Sequence, residues 1–313
     1  MVSVGLLVAF AVLGPIVASH GPFESDFVHG VGPDLLPSAP SWQMPLGADR
    51  IFRDVFARLA VAARLSLLIA LSATALASAI GAAVGIAAGY FEGQRLRVSW
   101  PAVAGTIAAA VALSMGHAWL AVGVVGLGVA GSFLFPAAAG LPVDVDATLM
   151  RTVDVLLAFP FLLLVMGIGA ALERTSAVTI FVTLGVTGWL GIARLIRAKT
   201  LQVRAQEYVV ASRALGQTTP RILVGHVVPN VAGPLVVSAT ALASQMIVAD
   251  AALSYLGVGI APPTPTWGRM LFEGQSYVTA APWLVLAPAV AILIAAWGFT
   301  MLGEGLRDAL DPR

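Results

Sequence analysis

Residues Glu207 to Asn230 read EYVVASRALGQTTPRILVGHVVPN, a polar and basic stretch set between two long apolar runs. From Arg194 to His226 there are six basic residues, Arg194, Arg197, Lys199, Arg204, Arg213 and Arg221, against the single acid Glu207. Positive charge gathers in the loops that membrane proteins leave in the cytoplasm, which places this segment inside. A chain that keeps such a stretch in water between spans has one leading use for it, the docking of a soluble partner.

Composition makes the flanking runs membrane spans. The chain is 59% hydrophobic and 11% charged, with a mean hydropathy of +0.93, whereas soluble domains carry about 25% charged residues. A net charge of +1 argues against nucleic acid as a partner, because phosphate binding needs a concentrated basic excess. Cysteine is absent, which removes disulfides and thiolate metal sites.

A helix needs about 20 apolar residues to cross the hydrocarbon core. Eight stretches qualify: Val2 to Ser19, Leu65 to Phe91, Val98 to Met115, Ala118 to Gly140, Val155 to Leu172, Thr175 to Ala193, Val227 to Ala249 and Leu284 to Gly303. The first lacks a basic leader and a good small-residue cleavage site, so it reads as an anchor, not a signal peptide. No ten-residue polar/apolar alternation marks a spanning strand, so all are read as helices. With the 194–226 loop inside, alternation puts both termini in the cytoplasm. Inside segments then hold eleven of the seventeen basic residues. The exceptions are mainly Arg50, Arg53, Arg58 and Arg64, in a segment from Arg53 to Leu68 that reads as an interfacial helix leading into the second span.

Little in these spans supports catalysis. The only lysine, Lys199, lies in ARLIRAKT, where Ala193 and Ala198 occupy both glycine positions of the phosphate-binding GxxxxGK[ST] loop. Asp154 and Asp250 fall at span ends and Glu304 just beyond one, where solvated ends or caps are the expectation. No HExxH and no paired intramembrane carboxylates occur. A stand-alone secondary transporter or a membrane-embedded lipid-handling enzyme is the alternative reading, and both would want mid-span charge.

The opening stretch has internal structure. Tyr208, Ala211 and Leu215 share one helical face after Glu207, and Gly216 reads as a C-cap. Thr219 reads as an N-cap followed by Pro220 at the first helical position, giving a short helix, a turn, and a second helix running through Pro229 into the next span. Small residues at Ala211, Ser212 and Ala214 would let a partner approach the backbone closely.

These residues resemble the EAA loop of ABC-importer permeases, which reads EAA, three residues, Gly, nine residues, then I-x-L-P. Here Gly216 is followed by nine residues and then by His226-Val227-Val228-Pro229, a form similar to the C-type subunits of the dipeptide/oligopeptide (peptide/nickel) importer family. Further segments fall in that family's order: Pro45-Leu46-Gly47-Ala48-Asp49 with Arg53-Asp54, Ala88-Gly89-Tyr90-Phe91, Leu157-Ala158-Phe159-Pro160, Ala261 to Gly268, and Gly305 to Arg313. The resemblance covers roughly residues 41 to 92 and 147 to 313. It departs in three places. Val210 stands for the glutamate of EAA and Ser212 for its second alanine, Phe52 stands where the external segment has glycine, and about fifty residues are inserted from Gln94 to Asp146. That insertion is long enough for two added spans turning at Gly116-His117.

The resemblance implies an all-α integral membrane protein, the transmembrane domain of a type I ABC importer with six family helices plus an inserted two-helix hairpin. Residues 1–60 would form the N-terminal helix and an external segment. Residues 61–313 would form the permease domain, with the hairpin at about 94–146 and the cytoplasmic EAA loop at about 199–230. It would be the permease subunit of an ATP-driven importer of di- or oligopeptides or related solutes, multi-pass in the cytoplasmic (inner) membrane and surrounded by lipid. The chain would bind no cofactor, no metal and no nucleic acid, and would not be an enzyme. ATP and magnesium would sit on two partner ATPase subunits, beside a second permease in a heterodimer and an extracytoplasmic binding protein. The coupling residues implied are Glu207, Tyr208, Val210, Ala211, Ser212, Arg213, Ala214, Leu215, Gly216 and Pro229. The polar residues of the following span, Ser238, Thr240, Ser244 and Gln245, are candidates for the pathway wall.

Overall fold

A computed structural model describes residues 2–98, 141–171 and 176–310. The elements are α1 (Val2–Val17), α2 (Val55–Tyr90), strands β1 (Arg95–Val98) and β2 (Leu141–Asp144), α3 (Val145–Leu157), α4 (Phe161–Ala171), α5 (Ala177–Thr187), α6 (Leu190–Arg204), α7 (Glu207–Ala214), α8 (Thr219–Ile222), α9 (Val228–Tyr255), α10 (Trp267–Gly274) and α11 (Trp283–Leu310). Among the described residues four helical stretches are long and apolar enough to cross a membrane: α2, α5 with α6, α8 through α9, and α11. A fifth is the pair α3 and α4 counted together. The expected spans 98–115 and 118–140 lie outside the described residues, apart from Val98, which ends β1.

Helix α2 is the centre of the bundle, packed against α1, α5, α6 and α9. It is one helix of 36 residues, not an interfacial helix followed by a span. Two arginines that hydropathy would expel are accommodated without a break. Pro15 in α1 has no N–H to give Ala11, and Arg64 donates from Nε to the Ala11 carbonyl at 3.3 Å. Arg58 is drawn into a buried ion cluster: its Nε lies 3.3 Å from Asp49 and its Nη2 3.1 Å from Glu273 of α10. Arg53 meets the same two acids, at 2.7 Å from Asp49 and 3.5 Å from Glu273. Three arginines outside the positive-inside count are therefore consumed by tertiary contacts.

The other end of α2 approaches α6 through the stripe Gly81, Gly85 and Gly89. A Cβ on Gly85 would lie 2.6 Å from the Ala193 carbonyl, and one on Gly89 2.8 Å from that of Arg197. Small residues every fourth position let two membrane helices bring their backbones together, where packing is the main attraction. Gly85→Val is expected to lower stability by about 1–3 kcal/mol through overpacking, read as a lower thermal midpoint in detergent. Gly167→Ala, with nothing within 4 Å of the added carbon, should leave that midpoint nearly unchanged.

The expected span 155–172 is broken. α3 and α4 meet at 88°, because Pro160 cannot donate to a preceding carbonyl and disfavours helix at Phe159. α6 runs eleven residues past Ala193, the expected span end, to Arg204, and α11 continues to Leu310, so Glu304 and Arg307 are helical. Asp250, expected at a solvated end or cap, is buried inside α9 at 1% exposure. The helical architecture also carries one short two-stranded ribbon. β1 and β2 pair antiparallel, Arg95 opposite Asp144 and Val98 opposite Leu141, which brings the two ends of the 94–146 insertion side by side.

Residues 18–54 form a cap over α1, α2 and α11. Trp283 donates from Nε1 to the Ala48 carbonyl at 3.2 Å. Phe52, at the position of the family glycine, adopts a left-handed φ of 66°; its ring meets Phe27 at 5.7 Å, which offsets part of the strain a side chain incurs there. Hydrogen bonds from the side chain and amide of His29 and the amide of Val28 hold the Asp26 carboxyl down at about 2, while burial pushes that of Asp54 up.

Candidate functional site

Helix α7 begins at Glu207 because Gln206 is extended, at φ −70° and ψ 145°. It ends in a Schellman arrangement: Gly216 N–H donates to the Arg213 carbonyl at 3.0 Å and Gln217 N–H to that of Ser212 at 3.1 Å. The arrangement requires Gly216 in the left-handed region, where its φ is 79°. The second half of the loop starts one residue earlier than expected. Thr218 is the N-cap of α8, with no side-chain capping bond, and Thr219 and Pro220 are the first two helical residues.

Two side chains of α7, Val209 and Ser212, face this chain. Val209 joins the core with Val203, Ile222, Val227 and Tyr90. Ser212 donates to the Tyr208 carbonyl at 2.8 Å and stands 3.1 Å from His226 Nε2, so it lies behind the outer surface. Glu207, Tyr208, Val210, Ala211, Arg213, Ala214 and Leu215 are exposed. Val210 is 56% and Leu215 84% exposed, an apolar display on a short, firmly terminated helix in a polar loop. Glu207 makes no ion pair among the described residues, and Arg213 rests over the Tyr90 ring at 5.4 Å.

His226 is the residue that sequence reasoning quoted but did not assign. Its ring meets Tyr208 at 5.7 Å, and its carbonyl accepts from the Asn230 side-chain Nδ2 at 2.7 Å. It sits in a π-helical turn, Leu223–Val227, closed by Val228 N–H on the Leu223 carbonyl. Pro229 follows and withholds the next donor, a setting in which wide turns form and hinges are found. α7 is thereby keyed through Ser212 and Tyr208 to the foot of α9.

The basic island is partly neutralised from within. Arg194 pairs with Asp154 and Arg197 with Asp146, tying α6 to α3. Arg204 donates to the Glu92 carbonyl at 3.0 Å, so it caps the end of α2. Asp146 and Asp154 are eight residues apart, close to two helical turns, which is the sequence signal that both face one basic helix.

A largely apolar cavity of about 800 Å³ opens between the α3–α4 elbow, α6 and α9. Ser238, Ser244 and Gln245 line it, with Phe159, Leu195 and Val248. Thr240 lies elsewhere: its hydroxyl donates to Val237 at 2.7 Å and faces Gly303 of α11.

Residues 129–313 match the family model described as binding-protein-dependent transport system inner membrane component. The oligopeptide transport system permease protein OppC of Bacillus subtilis (strain 168) is 30% identical over 313 residues, 100% of this chain and 84% of that protein. The chain belongs to this family. OppC of Salmonella typhimurium is 37% identical to the permease over 169 residues, 54% of this chain and 56% of that protein. The dipeptide permease DppC of Alkalihalophilus pseudofirmus is 36% identical over 194 residues, 59% and 62% respectively. In fold the permease is similar to a solved structure, the inward-facing MetNI methionine ABC transporter: TM-score 0.52 at 17% identity, covering 82% of this chain and 97% of that one.

Proposed function

We propose that this permease forms one half of the membrane pathway of an ATP-driven importer for di- or oligopeptides. The observation that carries the reading is α7, a terminated helix whose outer apolar side chains Val210 and Leu215 find no cover among the described residues and whose inner face is locked to the foot of a spanning helix. Docked in a groove of a separate ATPase subunit, it would pass that subunit's closure through His226 and the π-helical turn into α9. A ligand-driven shift between two packed states is what alternating access requires. Glu207 and Arg213 offer the charges of the contact, and Val210 makes it more apolar than the family's glutamate would.

The cavity beside α9 is open among the described residues, which fits pairing with a second permease around a shared path. Walls of Leu, Val and Phe with Ser238, Ser244 and Gln245 suit a permissive passage for peptides, whose backbones need few fixed partners when choice is made by a binding protein. ATP and magnesium belong on two ATPase subunits in this assembly. The loop and both termini lie in the cytoplasm, and the 18–54 cap faces the binding protein.

Reconstitution in proteoliposomes with the partner subunits and the binding protein tests the reading. Uptake of labelled peptide should require ATP and magnesium. Ion-driven uptake by this chain alone would establish the secondary-transporter alternative instead.

A further inference from the structure

The cap contains a cluster that the transport role does not use. His20 Nε2 lies 3.4 Å from Asp26 Oδ2, and His29 Nδ1 lies 2.8 Å from the same oxygen. One donor atom from each of the three residues falls within 4.8 Å of the others. Asp26 is divided between two tasks: its Oδ1 accepts the amides of Val28 at 2.8 Å and His29 at 3.1 Å, which leaves Oδ2 facing both imidazoles. Two imidazoles and a carboxylate converging from short range are a donor set suited to zinc and neighbouring late transition cations.

A separate observation points the same way. Behind His20, the buried Asp54 turns Oδ2 toward the free ring nitrogen, Nδ1, at 3.5 Å. Asp54 is 1% exposed, and both that oxygen and His20 Nδ1 lack a hydrogen-bond partner. A carboxylate on the far nitrogen of an imidazole fixes the tautomer and turns the near nitrogen outward as a ligand. The other oxygen, Oδ1, accepts from Phe56 N–H at 2.8 Å as the N-cap of α2, so the supporting carboxylate is anchored to the central helix.

We propose that His20, Asp26 and His29 form a binding site for a divalent late transition cation such as zinc, with Asp54 as a positioning residue that acts through His20. The three ligands leave an open coordination position on the side where His29 is 46% exposed. The cation would join the chain leaving α1 to the turn at Asp26 and, through Asp54, to the head of α2. It would thus brace the cap. The proposal does not depend on the cargo or direction of transport.

The test uses the full chain, purified in detergent, stripped with chelator and titrated with zinc by calorimetry, with bound metal counted by mass spectrometry. One zinc per chain is expected, with a rise in thermal midpoint on loading. The double variant His20→Gln/His29→Gln should lose that zinc and that rise. Asp54→Asn, which keeps an N-cap acceptor, should bind roughly 10–100-fold more weakly while its metal-free midpoint stays near that of the parent. Equal zinc uptake by parent and double variant would overturn the proposal, as would a parent that retains no zinc. Unchanged affinity in Asp54→Asn would remove Asp54 from it.

Discussion

Replacing Ala211 by Trp is expected to abolish ATP-driven uptake while leaving the thermal midpoint of the purified permease unchanged. Ala211 is exposed on α7, so an indole there projects into the space that the proposed ATPase contact would occupy. Losing a central docking contact costs about 2 kcal/mol or more, roughly 30-fold in affinity, and the ATPase should fail to co-purify. Gly216→Pro should reach the same end by another route. Proline fixes φ near −65°, against 79° here, and removes the N–H that closes the helix on Arg213. Gly216→Ala meets nothing within 4 Å and should cost only the left-handed backbone penalty, about 1–2 kcal/mol, with partial uptake. Val210→Glu restores the family's charge at an exposed position, where the gain should stay below about 1 kcal/mol. Uptake that survives both Ala211→Trp and Gly216→Pro would show that α7 is not the coupling element.

Glu273→Ala should produce a larger loss of stability than Gly85→Val. Glu273 accepts Arg58 at 3.1 Å, Arg53 at 3.5 Å and Arg269 at 3.1 Å, and Arg53 and Arg58 are 6% and 1% exposed. Removing the acid leaves Asp49 alone to balance two buried guanidinium groups, a change that costs about 3–5 kcal/mol. Thermal unfolding in detergent measures it. Glu273→Gln keeps hydrogen-bond acceptance without charge and should lose less. If the alanine variant melts with the parent, the cluster is solvated in the membrane and contributes no net stability.

Much of α7 could be read in the sequence because its signals are local. Gly216 ends the helix for a reason carried by one residue's backbone, and the period of Tyr208, Ala211 and Leu215 marks an outer face over about two turns. Ser212 shows the limit. Its small size suits either face, and only the distance to His226, fourteen residues on, turns it inward. Thr240 is as much a candidate for the pathway wall by sequence as Ser238 and Ser244, yet it faces Gly303 on another helix. Arg53, Arg58 and Arg64 defeated a charge count for a like reason. Arg53 and Arg58 both reach Glu273, 215 residues on from Arg58, and Arg64 reaches the Ala11 carbonyl freed by Pro15; no short window of sequence contains both sides of these contacts.

The apolar runs, the punctuation by Gly216 and Pro229, and the ordered family motifs by themselves determined a helical membrane permease with an outward-facing loop helix. Hydropathy and backbone conformation are properties of single residues and short windows, so they survive reading in one dimension. Tertiary structure alone decided that Arg53 and Arg58 are buried with Glu273, that α3 and α4 turn through 88° beside a cavity, and that α7 is locked to α9 through His226. It also brought His20, Asp26, His29 and Asp54 to one point of the cap. Each of these depends on which distant groups share a low-dielectric space, where an unpaired charge or donor is costly, and that pairing exists only once the chain has folded.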